Sequence, residues 1–360
     1  MIAGAVLIRR LAAGARRRPP LEPAPSRPVP AGAVTVVIPA RDEAARIGAC
    51  LGALRDDPQV AGVIVVDDES SDATVAVASA YGARVVHGAA LPPGWVGKPW
   101  ALQQGLLTVE GDWILTLDAD VIPAPGLVGA LLGAAEDDSW DVVSAGARFI
   151  CRDPVQRWLH ASMLATLVYR FGPIGPPSAV SPGRAIANGQ CILARRSWLL
   201  ERGGFAVTGG HLTDDIALVR WLAGLGGRVG FLDGSAVIAV EMHRDAAEVW
   251  REWGRSLPMA DVTPVWQQAA DLALIWLTMA APPIRVAAGR ATAVDVGLLA
   301  LRVAVSGALR GVYDGAGAPV WAAALADPAT AARLTQGALR PARVWRGRSY
   351  PSRPGGSAAR

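Results

Sequence analysis

Two clusters of carboxylates, each closing an apolar run, are the residues of this chain best suited to chemistry. The first is Val-Ile-Val-Val-Asp-Asp-Glu-Ser-Ser-Asp over 63–72; the second is Trp-Ile-Leu-Thr-Leu-Asp-Ala-Asp over 113–120. Short runs rich in β-branched and apolar residues read as strands buried on both faces. Gathering Asp67, Asp68, Asp118 and Asp120 is costly unless a cation or hydrogen-bond donors sit among them. Asp118 and Asp120, two apart, project to the same side of an extended segment. Ligands of open α/β sheets bind at the carboxyl ends of the strands. The pattern therefore points to a metal-assisted nucleotide site. Ser70 and Asp72 also fit an N-cap of the helix that follows, which would not use the adjacent pair Asp67 and Asp68.

The elements that must position these groups alternate. Strands are expected over 34–38, 62–66, 83–86, 113–117 and 142–145, and helices over 43–54, 71–81, 99–107 and 126–135. Such βαβα order predicts a Rossmann-like, mostly parallel sheet with flanking helices. No G-x-G-x-x-G follows the first strand; Pro39-Ala40-Arg41-Asp42-Glu43 stands there, which argues against a nicotinamide or flavin enzyme. After Phe149 the rhythm breaks into an apolar helix over 155–171 and a Pro/Gly-rich connection over 172–183. Helices over 196–202 and 214–225 and strands over 191–194, 228–232 and 236–240 follow.

The 360 residues are 52% hydrophobic and only 18% charged, too apolar for an ordinary soluble enzyme, so a membrane-facing part is expected. Candidate segments lie over 269–281, ending at Pro282-Pro283, and over 294–309, where Arg302 spoils a simple span. A tilted or re-entrant membrane hairpin, and amphipathic helices lying on the bilayer or packing on the domain, both fit. Residues 1–33 begin with a short apolar stretch followed by Arg9, Arg10, Arg16, Arg17 and Arg18. That is the wrong order for a cleavable signal peptide and reads as a flexible or surface-bound lead. Arg340, Arg343, Arg346, Arg348, Arg353 and Arg360 crowd the C-terminus. These basic ends lack interleaved aromatics, so no nucleic-acid partner is expected; anionic lipid headgroups fit better. Cys50, Cys151 and Cys191 have no metal spacing and read as buried thiols.

The segment 34–255 resembles family 2 glycosyltransferases of the GT-A fold. Val36-Val37-Ile38-Pro39-Ala40-Arg41-Asp42-Glu43 is similar to that family's opening strand and P-x-x-N/D-E turn. Residues 65–74 resemble its V-D-D-x-S-x-D-x-T motif, and Asp118-Ala119-Asp120 its D-x-D. The resemblance continues through Asn188-Gly189-Gln190-Cys191, Gly203-Gly204-Phe205 and Thr213-Asp214-Asp215. It implies a nucleoside-diphosphate sugar donor, UDP-linked, with Pro39, Glu43, Asp67 and Asp68 around the base and Asp118 at the ribose or the metal's water shell. It implies Asp120 as ligand of Mg2+ or Mn2+, and His243 as a further ligand. Lys98 would meet the donor's phosphates or ribose, Asn188 and Gly189 would shape the pocket, and Asp214 would stand beside Asp215. Asp215 aligns with the catalytic base of inverting members, although Thr213 or Asp214 also fits a helix N-cap.

Leu91-Pro92-Pro93-Gly94-Trp95-Val96-Gly97-Lys98 is similar to a membrane-associated subgroup of carotenoid and hopanoid glycolipid pathways. Trp250-Arg251-Glu252-Trp253 departs from the Q-x-x-R-W of processive synthases, which implies a single transfer. The expected organisation is a basic, Pro-rich lead (1–33), a GT-A domain (34–255), an apolar helical membrane-associated region (256–330) and a basic tail (331–360). The expected activity is sugar transfer to a lipid acceptor, with the catalytic domain on the cytoplasmic side of the cell membrane. A soluble acceptor, or a non-catalytic nucleotide-binding membrane protein, are the alternatives.

Overall fold

The structure, a computed structural model, describes every residue except 1, 25–32, 176–180, 316, 342–343, 346–347 and 351–360. Arg343, Arg346, Arg353 and Arg360 of the basic tail, and parts of the Pro-rich lead and of the 172–183 connection, lie outside the described residues. The chain divides into two compact units: Arg18–Arg148 with Ser178–Glu241, and Met1–Arg17 with Phe149–Pro177 and Met242–Arg360.

The strands are β1 (Val34–Ala40), β2 (Val60–Asp67), β3 (Arg84–His87), β4 (Trp113–Leu117), β5 (Val121–Pro123), β6 (Val142–Gly146), β7 (Arg148–Phe149), β8 (Cys191–Arg195), β9 (Val229–Asp233) and β10 (Ile238–Val240). The first unit is built on a seven-stranded sheet of order β3-β2-β1-β4-β8-β6-β9. β1 runs parallel to β2 and β4, β2 to β3, and β6 to β9. β8 alone is antiparallel to its neighbours β4 and β6. This is the mostly parallel α/β sheet that the alternation predicted. Val36, Val37, Ile38, Val65, Val66, Leu115 and Leu117 are sealed from solvent, as strands covered on both faces require. The helix Gly97–Thr108 packs Ala101, Leu102 and Leu106 against Val37, Ile64, Val66 and Ile114. Its first turn thereby comes to the carboxyl ends of β1 and β4.

The second unit is helical. Its core joins Leu159 and Met163 of the helix Pro154–Phe171 to Val249 and Trp253 of the helix Ala246–Ser256, and to Leu274, Ile275, Met279, Val305 and Leu334. The opening residues, expected as a loose lead, form the helix Ile2–Ala12, whose Leu7 is fully buried in this core. The Arg10 guanidinium donates to the Tyr169 carbonyl at 3.1 Å.

One further expectation is corrected here. Pro282-Pro283 does not end the apolar helix, which runs from Val265 to Ala287. A widened π turn over Trp276–Ala280 resets the hydrogen-bond frame. Both prolines then fall in the first turn of Ala281–Ala287, where a missing N–H costs little. Arg302, expected to spoil a simple span, is buried: its Nε lies 2.7 Å from Asp327 Oδ2, and its Nη1 donates to Ser306 Oγ. Among the described residues, Val265–Ala287 is the one helix long and apolar enough to cross a membrane, with a mean hydropathy of 1.3.

Candidate functional site

The strand-end turns after β1 and β2 are locked to each other by side chains. Asp42 and Glu69 adopt left-handed backbones, φ 53° and 59°, which non-glycine residues enter only when the surroundings hold them there. The Asp42 N–H donates to Ser70 Oγ (3.1 Å), and the Ser71 N–H donates back to Asp42 Oδ1 (2.7 Å). That backbone donor from Ser71 holds the Asp42 carboxyl below its ordinary range. Asp72 accepts from the N–H groups of Ala44 (3.1 Å) and Thr74 (2.9 Å). Asp72 thereby satisfies the first N–H of the helix Thr74–Ala80, and Ser70 and Asp72 also tie the two turns together.

Within this frame Asp67 is buried and accepts from the Ser70 N–H at 3.2 Å. Asp68 donates its N–H to the Ala40 carbonyl (2.8 Å) and faces the Arg41 guanidinium at 3.8 Å. Pro39 lies within β1, in parallel register with Val66. Glu43 is buried and gripped by Arg46, whose Nη2 is 2.6 Å away. Arg46 also reaches Asp120 Oδ2 at 3.7 Å. It is a bridging cation that the motif comparison missed, although its i,i+3 spacing from Glu43 was visible.

Across the sheet, Lys98 occupies the first turn of the helix Gly97–Thr108, where the helix dipole disfavours a cation. Its Nζ sits 2.5 Å from Asp118 Oδ1 and donates to the Gly189 carbonyl at 3.2 Å. Burial works against the ammonium charge, but Asp118, Asp214 and Asp215 outweigh it and hold the lysine above its ordinary range. A charge placed against its helix dipole and answered by three carboxylates marks a site, not a stabilising choice.

Gly189 sits in a turn fixed by Asn188. The Asn188 amide donates to the Ala145 carbonyl (3.2 Å) and to Gln190 Oε1 (3.1 Å), and its N–H donates to Ser144 Oγ (2.8 Å). Asn188 therefore shapes the turn with its polar atoms committed to the protein. The Gly189 N–H donates to Asp215 Oδ2 at 2.8 Å, and the Ile216 N–H to Asp215 Oδ1 at 2.8 Å. A Cβ at residue 189 would lie 3.0 Å from Asp215 Cβ, so this approach needs glycine. Thr213, at the N-cap of the helix Asp214–Gly224, makes no side-chain cap bond to it.

Five carboxylates, Glu43, Asp118, Asp120, Asp214 and Asp215, thus share two cations, Lys98 and Arg46. Burial, then the Asp118 charge, pushes the Asp120 carboxyl up to about 7 against the pull of Arg46 and Lys98. Burial likewise lifts Asp214 to about 7, with Asp215 and Asp118 adding to it and Lys98 opposing. Burial raises Asp215 as well. Asp120 Oδ1 and Gln190 Nε2 are buried without a hydrogen-bond partner, an arrangement that normally awaits a ligand. Among the described residues no three His, Cys, Asp or Glu converge as a complete metal cage. Beneath the pair, Cys50 and Cys191 are buried free thiols, and burial raises both.

His243 belongs to the helical unit. It is 3% exposed, and its ring meets His160 and Trp253 edge-on, with centroids 5.8 and 5.7 Å away. Burial pushes its pKa down to about 4, and Nδ1 has no hydrogen-bond partner. It is a neutral imidazole within an aromatic cluster that also holds Phe149 and Tyr313.

Comparison with known proteins adds three findings. Residues 35–203 match the family model described as glycosyl transferase family 2. A stretch of 90 residues is 41% identical to 4,4'-diaponeurosporenoate glycosyltransferase from Staphylococcus aureus, covering 25% of this chain and 24% of that protein. The chain thus spans about a quarter of the length of the curated relatives it matches. Among solved structures, the mannosyltransferase PcManGT from Pyrobaculum calidifontis, in complex with GDP-Man and Mn2+, is 20% identical. The likeness covers 94% of this chain and 95% of that one at a TM-score of 0.56, and is one of fold.

Proposed function

We propose, from the match of residues 35–203 to the glycosyl transferase family 2 model, a metal-dependent, inverting transfer of one sugar from a nucleoside-diphosphate donor to a lipid. The observation that carries this reading is the excess of carboxylates over cations at the strand ends, with a buried Asp120 oxygen left unpartnered. A hard divalent cation suits that oxygen. Mg2+ characteristically binds one or two carboxylates and completes its shell with substrate phosphates and water, so no full protein cage is required. Asp120 would hold Mg2+ or Mn2+ with Asp118 beside it, as a D-x-D pair. The bound cation would neutralise charge on the departing diphosphate.

The chain's own groups do the rest. The locked turns after β1 and β2 present Pro39, Glu43, Asp67 and Asp68 as a rigid rim for the base of a UDP-linked donor. Lys98 exchanges part of its contact with Asp118 for the donor. Asp215, held at Oδ2 by Gly189, takes the acceptor hydroxyl's proton as that oxygen bonds to the anomeric carbon. The bond to the β-phosphate oxygen breaks, and the nucleoside diphosphate leaves with its electrons. A base whose pKa is raised toward neutrality is stronger for this task, and such groups contribute roughly 10²–10⁴-fold.

Support for a lipid acceptor comes from elsewhere. A relative is named for diaponeurosporenoate, and the helical unit exposes large apolar side chains, among them Trp266 at 74% and Leu325 at 72%. The same features support association with the cell membrane, and the cytoplasmic side is part of the proposed reading. The test is nucleoside-diphosphate release across a panel of UDP- and GDP-sugars, with extracted membrane lipids and Mg2+ or Mn2+. Labelled sugar should enter the lipid fraction, and chelator should abolish it. Transfer only to water-soluble acceptors would overturn the lipid assignment, and full activity in chelator would overturn the role of Asp120.

A further inference from the structure

The two helices that meet at residues 288–292 of the helical unit form a hairpin whose tip is apolar outside and internally neutral. Ile284, Val286, Val294 and Val296 are 46–60% exposed, and residues 286–294 are exposed throughout. A soluble surface turn is normally polar, so this tip demands a partner.

Several polar groups of the tip are paired within it. The first helix ends in a Schellman motif: the Gly289 N–H donates to the Val286 carbonyl (3.0 Å) and the Arg290 N–H to the Arg285 carbonyl (2.8 Å). Gly289 takes the left-handed backbone, φ 65°, that this stop requires. The second helix opens with a capping box, Thr292 N–H to Asp295 Oδ2 (2.9 Å) and Asp295 N–H to Thr292 Oγ1 (3.3 Å). Asp295, the acid of the tip, is fully buried and also accepts from Arg285 Nε at 2.7 Å. Part of each helix end and the one carboxylate are thus paired within the hairpin, which lowers the cost of bringing this backbone into lipid.

Charge and length select the occupant. Between 265 and 310 the acids Asp271 and Asp295 are both buried, while Arg290 and Arg310 are exposed and Arg285 is partly so. The outward charge is therefore purely cationic and complements anionic headgroups. The bases of both helices are tied into the unit by buried pairs, Asp271 with Arg170 (3.5 Å) and Arg302 with Asp327. Counted from the buried Pro282 to residue 288 and from the buried Arg302 back to residue 292, that leaves roughly 9–15 Å of free hairpin at 1.5 Å per residue. A hydrocarbon core of about 30 Å is out of reach, but the 5–10 Å depth of an interfacial helix is not.

We infer that the hairpin over 284–300 is a shallow membrane plug, inserting its apolar tip into an anionic bilayer without crossing it. The inference rests on the lipid-acceptor reading above, which gives the plug its purpose: it would hold the domain at the surface where a lipid acceptor lies.

The test uses the full chain and vesicles of phosphatidylcholine with or without phosphatidylglycerol. Val296→Cys, labelled with a polarity-sensitive dye, reports insertion, since the native cysteines are buried. A blue shift on phosphatidylglycerol vesicles, quenched by a shallow nitroxide lipid, is expected. V294D/V296D should lower vesicle binding by at least about tenfold while its melting temperature and detergent-assisted sugar transfer stay unchanged. An unshifted dye, or binding unaffected by V294D/V296D, overturns the plug even if transfer occurs. A concentration-dependent dimer that V294D/V296D disperses, with no vesicle binding, assigns the tip to a second copy and overturns it too. Insertion without transfer to any lipid would sink the catalytic reading and leave the plug standing.

Discussion

Asp120 and Asp214 show what the site costs the protein. Their carboxyls are pushed from an ordinary 3.8 up to about 7, so between these values the folded chain binds more protons than the unfolded one. Stability must then fall as pH rises through that window. We predict that the metal-free protein melts at progressively lower temperature from about pH 4 to about pH 7, and that Asp120→Asn flattens the slope and raises the melting temperature near pH 7.5. A melting temperature that climbs across this window in the wild type would show that the cluster is not strained. The sign is the reverse of the usual salt-bridged aspartate, because burial and neighbouring carboxylates outweigh Lys98 and Arg46 here. Stability given up at a cluster of this kind is the ordinary signature of a functional site.

At the scale of elements, the turn over 188–190 matters most, because it joins the β8 edge to the helix that carries Asp215. Gly189→Ala places a Cβ 3.0 Å from Asp215 Cβ and 3.2 Å from its Oδ2, so the carboxylate or the turn must shift by a few tenths of an ångström. The expected outcome is a fall in kcat of roughly tenfold or more, with little change in donor affinity measured by calorimetry. An unchanged kcat would mean that the turn does not position the base. The strand ends and Asp118 were legible in the sequence because short buried strands and their terminal carboxylates are local patterns, whereas Asp215, in the first turn of a helix, was reached only through the family resemblance. The reversed β8, the π turn that carries the helix through Pro282-Pro283, and the burial of Arg302 were not. Each depends on a partner far along the chain, such as Asp327 for Arg302. Arg46 was visible as a residue but not as a bridge to Asp120, which only the closed sheet brings within 3.7 Å.

At the scale of the whole molecule, two kinds of surface coexist. The sheet unit concentrates its buried charge at the strand ends, while the helical unit carries most of the large exposed apolar side chains, from Val265 at 80% to Leu339 at 77%. The apolar composition is thereby explained by one unit, and the carboxylate motifs by the other. The central claim is that the sheet unit performs inverting sugar transfer with Asp215 as base. Its most direct test is Asp215→Asn, which keeps the side chain's size and removes the proton acceptor. Donor affinity should stay within a few-fold of wild type while kcat for transfer drops roughly 10²–10⁴-fold. Turnover near the wild-type value in that variant would contradict the account.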